Sequence, residues 1–404
     1  MNYNFSDPTF IVDPYPTYKI MREHDPVYKS PMGYWVLTQY TDILNALGDS
    51  RLSNQPSRYA VIGKRNINKY ISAEIANNII PFMDQPIHKE QRRLISKAYF
   101  SHLKETPPDI NLLAKNLLEK HYSKGHIDLI QDFGKPLSTQ VIAENIGVPT
   151  EDWGLLEKWS ELFFYLFVPI PSNEILLKME EGLALFRHYF SNLLNLRKNR
   201  PENDLISKLI GTRYNETYLT DIQIVDTCML LFADGVENID SAIANSIVAL
   251  IEHPEQLILL QKHPEKSRLA ADECLRYDPP AQLIAKIAKE DLLIQDKLIK
   301  QGEAIILVLA SANRDSQYFA FPDRLDITRE KNNHLTFGYG KHACIGGRLA
   351  TDQIEAGIMC IVNNLNELTV QNNESYRVPR FGHRWFNSLP LSFTKRSTSQ
   401  PLSL

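Results

Sequence analysis

The chain has 404 residues, with 44 basic against 48 acidic side chains and a formal charge of −4, a balance that gives no reason to invoke nucleic acid as a partner. At 43% hydrophobic and 23% charged residues it can bury a sizeable core, and no stretch reaches the roughly 18 apolar residues of a membrane span. Its four cysteines, Cys228, Cys274, Cys344 and Cys360, lack the paired spacing of a zinc knuckle. No linker, repeat or low-complexity run divides the sequence, so residues 1–404 read as a single domain. The start, Met1-Asn2-Tyr3-Asn4-Phe5, has neither a basic cluster nor an apolar run, and a cytoplasmic protein without a membrane anchor is expected.

Taken in chain order, Pro14-Tyr15-Pro16 reads as a loop, followed by short strands at 26–29 and 33–37. In Met83-Asp84-Gln85-Pro86-Ile87-His88, extended to Arg92, the residues His88 and Arg92 are four apart. They share one helix face, and both can reach an anion. Lys89, Arg93 and Lys97 continue on an adjoining stripe, either a docking face for an acidic electron donor or a solvated basic face. Pro107-Pro108 and Pro169-Ile170-Pro171 mark further loops. A long helix is expected over 220–252, with Asp221 in its first turn and His253-Pro254 stopping it, a length on the order of 45 Å. Its middle, Ala233-Asp234-Gly235-Val236-Glu237-Asn238-Ile239-Asp240, places a glycine and three acids inside an apolar helix. Glu273 and Arg276 lie at i and i+3, and a strand is suggested at 304–309.

The segment Phe337-Gly338-Tyr339-Gly340-Lys341-His342-Ala343-Cys344-Ile345-Gly346 sets one cysteine behind a glycine-rich turn. Apolar residues at Leu349, Ile354, Ile358 and Ile361 predict a helix directly after it, so the helix dipole and free N–H groups should favour an anionic sulfur and lower its pKa. Gly338, Gly340 and Gly346 would let the backbone approach a flat cofactor closely.

This F-G-x-G-x-H-x-C-x-G pattern resembles the haem-ligand signature of the cytochromes P-450, and all six fixed positions match. Glu273-Cys274-Leu275-Arg276 resembles the family's E-x-x-R helix, and Asp84-x-Pro86-x-His88-x-x-x-Arg92 its D-x-P-x-H-x-x-x-R helix start. Gly235-Val236-Glu237-Asn238 aligns with the G-x-[DE]-T element of the oxygen-binding helix. The resemblance covers nearly the whole chain. It implies a mainly α fold with a small β region, and haem b between the long central helix and the cysteine loop. Cys344 would be the iron ligand, with Phe337 near the sulfur and Lys341 exposed on the same side. His342, His88, Arg92 and Lys286 would meet the propionates, and Glu273 with Arg276 would form a buried structural lock.

The resemblance also implies a haem-thiolate monooxygenase that uses O2 and two electrons from ferredoxin and ferredoxin reductase. Its substrate would be a mostly apolar small molecule, free or bound to a carrier protein, met in specialised metabolism. Catalytic roles fall on Asp234, Gly235, Glu237 and Asn238. The chain departs from the pattern here, since Asn238 stands where threonine is usual and Asp234 where a small residue is usual. Asparagine offers an amide donor and a carbonyl acceptor, so it can orient a water between Glu237 and the oxygen. Lys286 replaces a common arginine, and Thr351 another. Because of Asn238, a peroxide-driven or rearranging haem-thiolate enzyme stays open as an alternative, as does a non-catalytic haem-binding sensor.

Overall fold

Thr220 fixes where the central helix begins. Its hydroxyl accepts from Gln223 N–H at 3.4 Å, and the Gln223 side chain accepts from Thr220 N–H at 2.9 Å, a reciprocal cap on two otherwise unpaired donors. The computed structural model describes residues 3–5, 7–371 and 377–396, so the tail after Arg396 lies outside the described residues. The helices that matter for the site are α1 (Ile87–Glu105), α2 (Lys135–Ile146), α3 (Trp153–Phe163), α4 (Asn173–Asn199), α5 (Asp221–Glu237), α6 (Ile239–Glu252), α7 (Ser267–Tyr277) and α8 (Gly347–Asn364). The helix expected over 220–252 is therefore two, interrupted at Asn238. At the break the Asn238 side chain is held at both ends, by Asp234 and by Trp385.

Close packing puts these helices around one core. Gly235 of α5 faces α2 so tightly that a Cβ there would stand 2.6 Å from Ile142 Cγ1. Gly357 of α8 meets α6 in the same way, 2.9 Å from Ile243 Cδ1. α6 is buried from Ile239 through Leu250, as befits a helix crossing the middle of a domain.

The strands of the two larger sheets are β1 (Val27–Lys29), β2 (Trp35–Leu37), β3 (Leu52–Ser53), β4 (His126–Asp128), β5 (Ile284–Ala288), β6 (Ala304–Leu307), β7 (Leu365–Val370) and β8 (Pro390–Lys395). One sheet runs β1-β2-β6-β5-β3, in which β2 and β6 pair in parallel, and a second runs β7-β8-β4. The expected strands are β1, β2 and β6. The remaining five are short runs whose partners lie far along the chain, so no local pattern marks them. Pro14-Tyr15-Pro16 is not a loop: a helix starts at Tyr15, with Pro16 in its first turn, where the missing N–H has no intrahelical partner to lose.

One guanidinium ties three helices together. Arg187 of α4 donates through Nε and Nη2 to both oxygens of Asp226 on α5, at 2.8 and 2.7 Å. Its Nη1 donates to Glu74, in the helix Ile71–Ala76, at 2.8 Å. Glu180 of α4 caps that helix by accepting from Ile71 N–H at 2.6 Å.

Candidate active site

The cysteine loop is shaped by turns that need glycine. Gly338 and Gly340 have φ of +68° and +71°, and Cys344 N–H closes the loop by donating to Phe337 O at 2.8 Å. Gly346 has φ of −83°, which any residue adopts, so its backbone conformation does not call for glycine. Phe337 packs on the start of α8, its ring carbon 3.4 Å from where a Cβ on Gly347 would stand. Cys344 opens onto a cleft of about 510 Å3, lined among others by Tyr99, Leu231, Asp234, Gly235 and Leu349. Burial and then the Asp234 charge push its thiol up to about 12, outweighing hydrogen bonds from Gly346 and Gly347 N–H. The lowered pKa expected at the helix start is thus reversed. A metal cation is what would bring such a thiol to the thiolate.

At the rim of the cleft, basic side chains from three distant stretches converge. The rings of His88 and His342 stack at 3.7 Å, and His342 Nε2 is 3.0 Å from Asn54 Nδ2. Asn54 Oδ1 in turn accepts from Lys286 Nζ at 2.7 Å, while Arg92 Nη2 donates to Ala343 O at 2.7 Å. Burial, and then neighbouring cations, lower His88 to about 4 and His342 to about 3. Burial lowers Lys286 to about 8. His88 Nε2 is buried and unpaired among the described residues. The nearest carboxylate, Asp84, is already engaged by Ser53 Oγ at 2.5 Å and Asn54 N–H at 3.0 Å. Two cations, Arg92 and Lys286, with two neutral imidazoles and an orphaned ring nitrogen fit a group carrying carboxylates, as haem does. Asn54 escaped the sequence reading because nothing local to it signals a ligand.

The four residues expected to act together at the helix centre separate onto two faces. Asp234 faces the cleft and accepts from Asn238 Nδ2 at 3.0 Å, while Trp385 Nε1 donates to Asn238 Oδ1 at 3.1 Å. Gly235 lines the cleft but owes its identity to the contact with Ile142. Glu237 points the other way, into a polar pocket of about 480 Å3 shared with Lys135, Glu161, Asp240 and Ser241. There it accepts from Ser160 Oγ of α3 at 2.7 Å. Burial raises its pKa, partly offset by Lys135, and burial together with Glu237 raises that of Asp240 well above the ordinary carboxylate value.

Glu273 and Arg276 of α7 form a bidentate pair at 2.8 Å on both arms, each fully buried. Arg276 also donates to the carbonyls of Asn313, Pro322 and Arg324, and Glu273 accepts from Asp326 N–H, Arg329 and Asn332. Asn313 Oδ1 then accepts from Leu335 N–H at 2.7 Å, two residues before Phe337. The pair therefore sets the approach to the cysteine loop.

A cysteine open to a cleft with a cationic rim, on this helical fold, defines a haem-thiolate protein. The family model Cytochrome P450 matches residues 269–380. The chain is 34% identical over 389 residues to the biotin biosynthesis cytochrome P450 of Bacillus subtilis (strain 168), covering 95% of this chain and 97% of that one. It is 32% identical over 351 residues to the vitamin D(3) 25-hydroxylase of Pseudonocardia autotrophica, 85% and 84% of the two chains. Among solved structures it is similar to P450BioI in complex with acyl carrier protein ligated to hexadec-9Z-enoic acid, at TM-score 0.88 and 32% identity over 96% of this chain and all of that one. It is also similar to CalO2, at TM-score 0.89 and 26% identity over 97% and 99%. The chain belongs to the cytochrome P450 family, and it is a haem-thiolate monooxygenase that uses O2 and a redox partner.

Proposed function

We propose that this P450 binds haem b through Cys344 and inserts one oxygen atom into an apolar small molecule, with electrons from a ferredoxin and its reductase. The observation that carries the reading is the gathering of basic side chains on the loop that presents Cys344 to the cleft: Arg92 donates to Ala343 O, and His88 stacks on His342, which is linked through Asn54 to Lys286. Bound there, the haem iron supplies the activation of dioxygen, helped by electron donation from the thiolate. The rim residues orient the group through its carboxylates. Phe82 stacks on Phe167 at 5.0 Å and Phe164 meets Trp385 edge-on at 4.8 Å, and the cleft itself is lined mainly by apolar side chains, which suits an apolar substrate. Residues 1–404 act as one catalytic domain in this reading. No helix among the described residues is long and apolar enough to cross a membrane, and we place the enzyme in the cytoplasm.

The test is product formation with reduced ferredoxin and O2 compared with peroxide alone. Turnover on peroxide without any electron donor would instead favour the peroxide-driven alternative. The likeness to P450BioI supports a carrier-bound acyl substrate as a second reading. Tighter binding of an acyl carrier protein conjugate than of the free acid would bear it out, and equal binding would remove it.

The docking stripe on α1 is partly occupied. Arg93 stacks on Tyr214 at 3.6 Å, and Lys97 donates to Arg213 O at 3.0 Å, both in the hairpin 213–218. Lys89 and Lys341 are exposed beside the cysteine loop. Lys89→Glu with Lys341→Glu should slow reduction by an acidic ferredoxin and flatten its salt dependence, leaving substrate-induced spectral changes in place. Identical reduction rates across a salt series would remove this docking face.

A further inference from the structure

We infer that Asp234 is the acid that hands a proton to the oxygen leaving as water, with Asn238 and Trp385 as positioning residues that aim it. The inference rests on the haem-thiolate reading above. Its ground is the orientation of one amide. Trp385 Nε1 can only donate, so Asn238 must present Oδ1 to it, at 3.1 Å. That fixes Nδ2 on the other side, where it donates to Asp234 Oδ1 at 3.0 Å. The asparagine is spent on two partners rather than on a water, and the second Asp234 oxygen remains for the cleft.

Position supports the assignment. Asp234 and Cys344 line the same cleft, and the Asp234 charge is felt by the Cys344 thiol. Glu237, the acid expected from the sequence, sits three residues on and faces the rear pocket, bonded to Ser160. Asp234 is exposed to the cleft rather than packed away, so its free oxygen is open to what the cleft holds. The balance is that of the established reaction: one substrate C–H, one O2, two electrons from the redox partner and two protons give one C–OH and one water. Asp234 gives one of those protons as its carboxylic acid and regains it from water.

Trp385 makes the aim depend on the segment 380–386. Its indole is packed between Phe164 at 4.8 Å and His383 at 4.3 Å, with Arg380 over it at 4.9 Å. Threonine in place of Asn238 has a single hydroxyl proton, which cannot be given to Asp234 and to the cleft at once. Beside a small residue at 234 the same hydroxyl would be free to turn to the cleft.

The experiment is a double-mutant cycle on the haem-loaded enzyme. Asp234→Asn should lower product formation by roughly 10²-fold or more and divert electrons to peroxide. Asn238→Thr alone should lose coupling as well, and Asp234→Ala with Asn238→Thr should recover it. The C–O stretch of the ferrous carbonyl complex should rise in Asp234→Ala, as a hydrogen-bond donor is lost, and stay put in Glu237→Gln. Should Asn238→Thr fail to bind haem, Trp385→Phe, which frees the same amide, must move that stretch too. The inference is overturned if Asn238→Thr alone couples as well as the parent, if the double variant couples no better than it, or if the stretch ignores Asp234 and Trp385. A parent carbonyl complex without the thiolate-type band would instead sink the haem-thiolate reading itself.

Discussion

Cys344→His should abolish the long-wavelength band of the ferrous carbonyl complex and with it nearly all monooxygenase turnover. The loop that carries Cys344 is held by its own turns: Gly338, Gly340 and the bond from Cys344 N–H to Phe337 O place the sulfur at the cleft whatever the side chain does. An imidazole there would still ligate iron, but as a neutral donor it pushes less electron density toward the bond that must break. The variant separates ligation from catalysis, because haem content should survive better than activity. Ser substitutions at Cys228, Cys274 or Cys360, which are buried in helices away from the cleft, provide the control and should leave the band unmoved. An intact band in Cys344→His would falsify the ligand assignment.

Arg276→Met should cost about 3–5 kcal/mol, since it leaves the fully buried Glu273 carboxylate without its main partner. Against a total stability of about 5–15 kcal/mol that is a large share, and poor haem retention is expected with it. Glu273→Gln should be milder at the pair itself, yet it removes the charge that also holds Arg329 at 3.1 Å. Because both side chains serve one network over residues 313–335, the double variant should lose less than the two single losses added together. Chemical denaturation of the four proteins measures this directly. Strict additivity would mean that the two residues act independently and that the lock does not exist.

The parts of the site readable from sequence are those encoded over a few residues. A cysteine behind two turn glycines, His88 and Arg92 four apart, and Glu273 and Arg276 three apart each reflect a local geometry, and the structure places all of them where that geometry requires. What could not be read depends on partners far away. Asn54 joins the rim because β3 ends beside β5, which brings it to Lys286. The orientation of the Asn238 amide is set by Trp385, 147 positions later in the chain. The direction of the cysteine pKa was misjudged for a related reason: the helix start is local and visible, whereas burial in the cleft is contributed by α1, α5 and α8 together.

Arg187 bears on time rather than on energy. Both oxygens of Asp226 and one of Glu74 converge on this one guanidinium, so the helix Ile71–Ala76 and α4 are fastened to each other and to α5. Neither can swing alone as a loop does in nanoseconds. Moving these helices apart is therefore a collective motion on the microsecond-to-millisecond scale rather than a loop-like one.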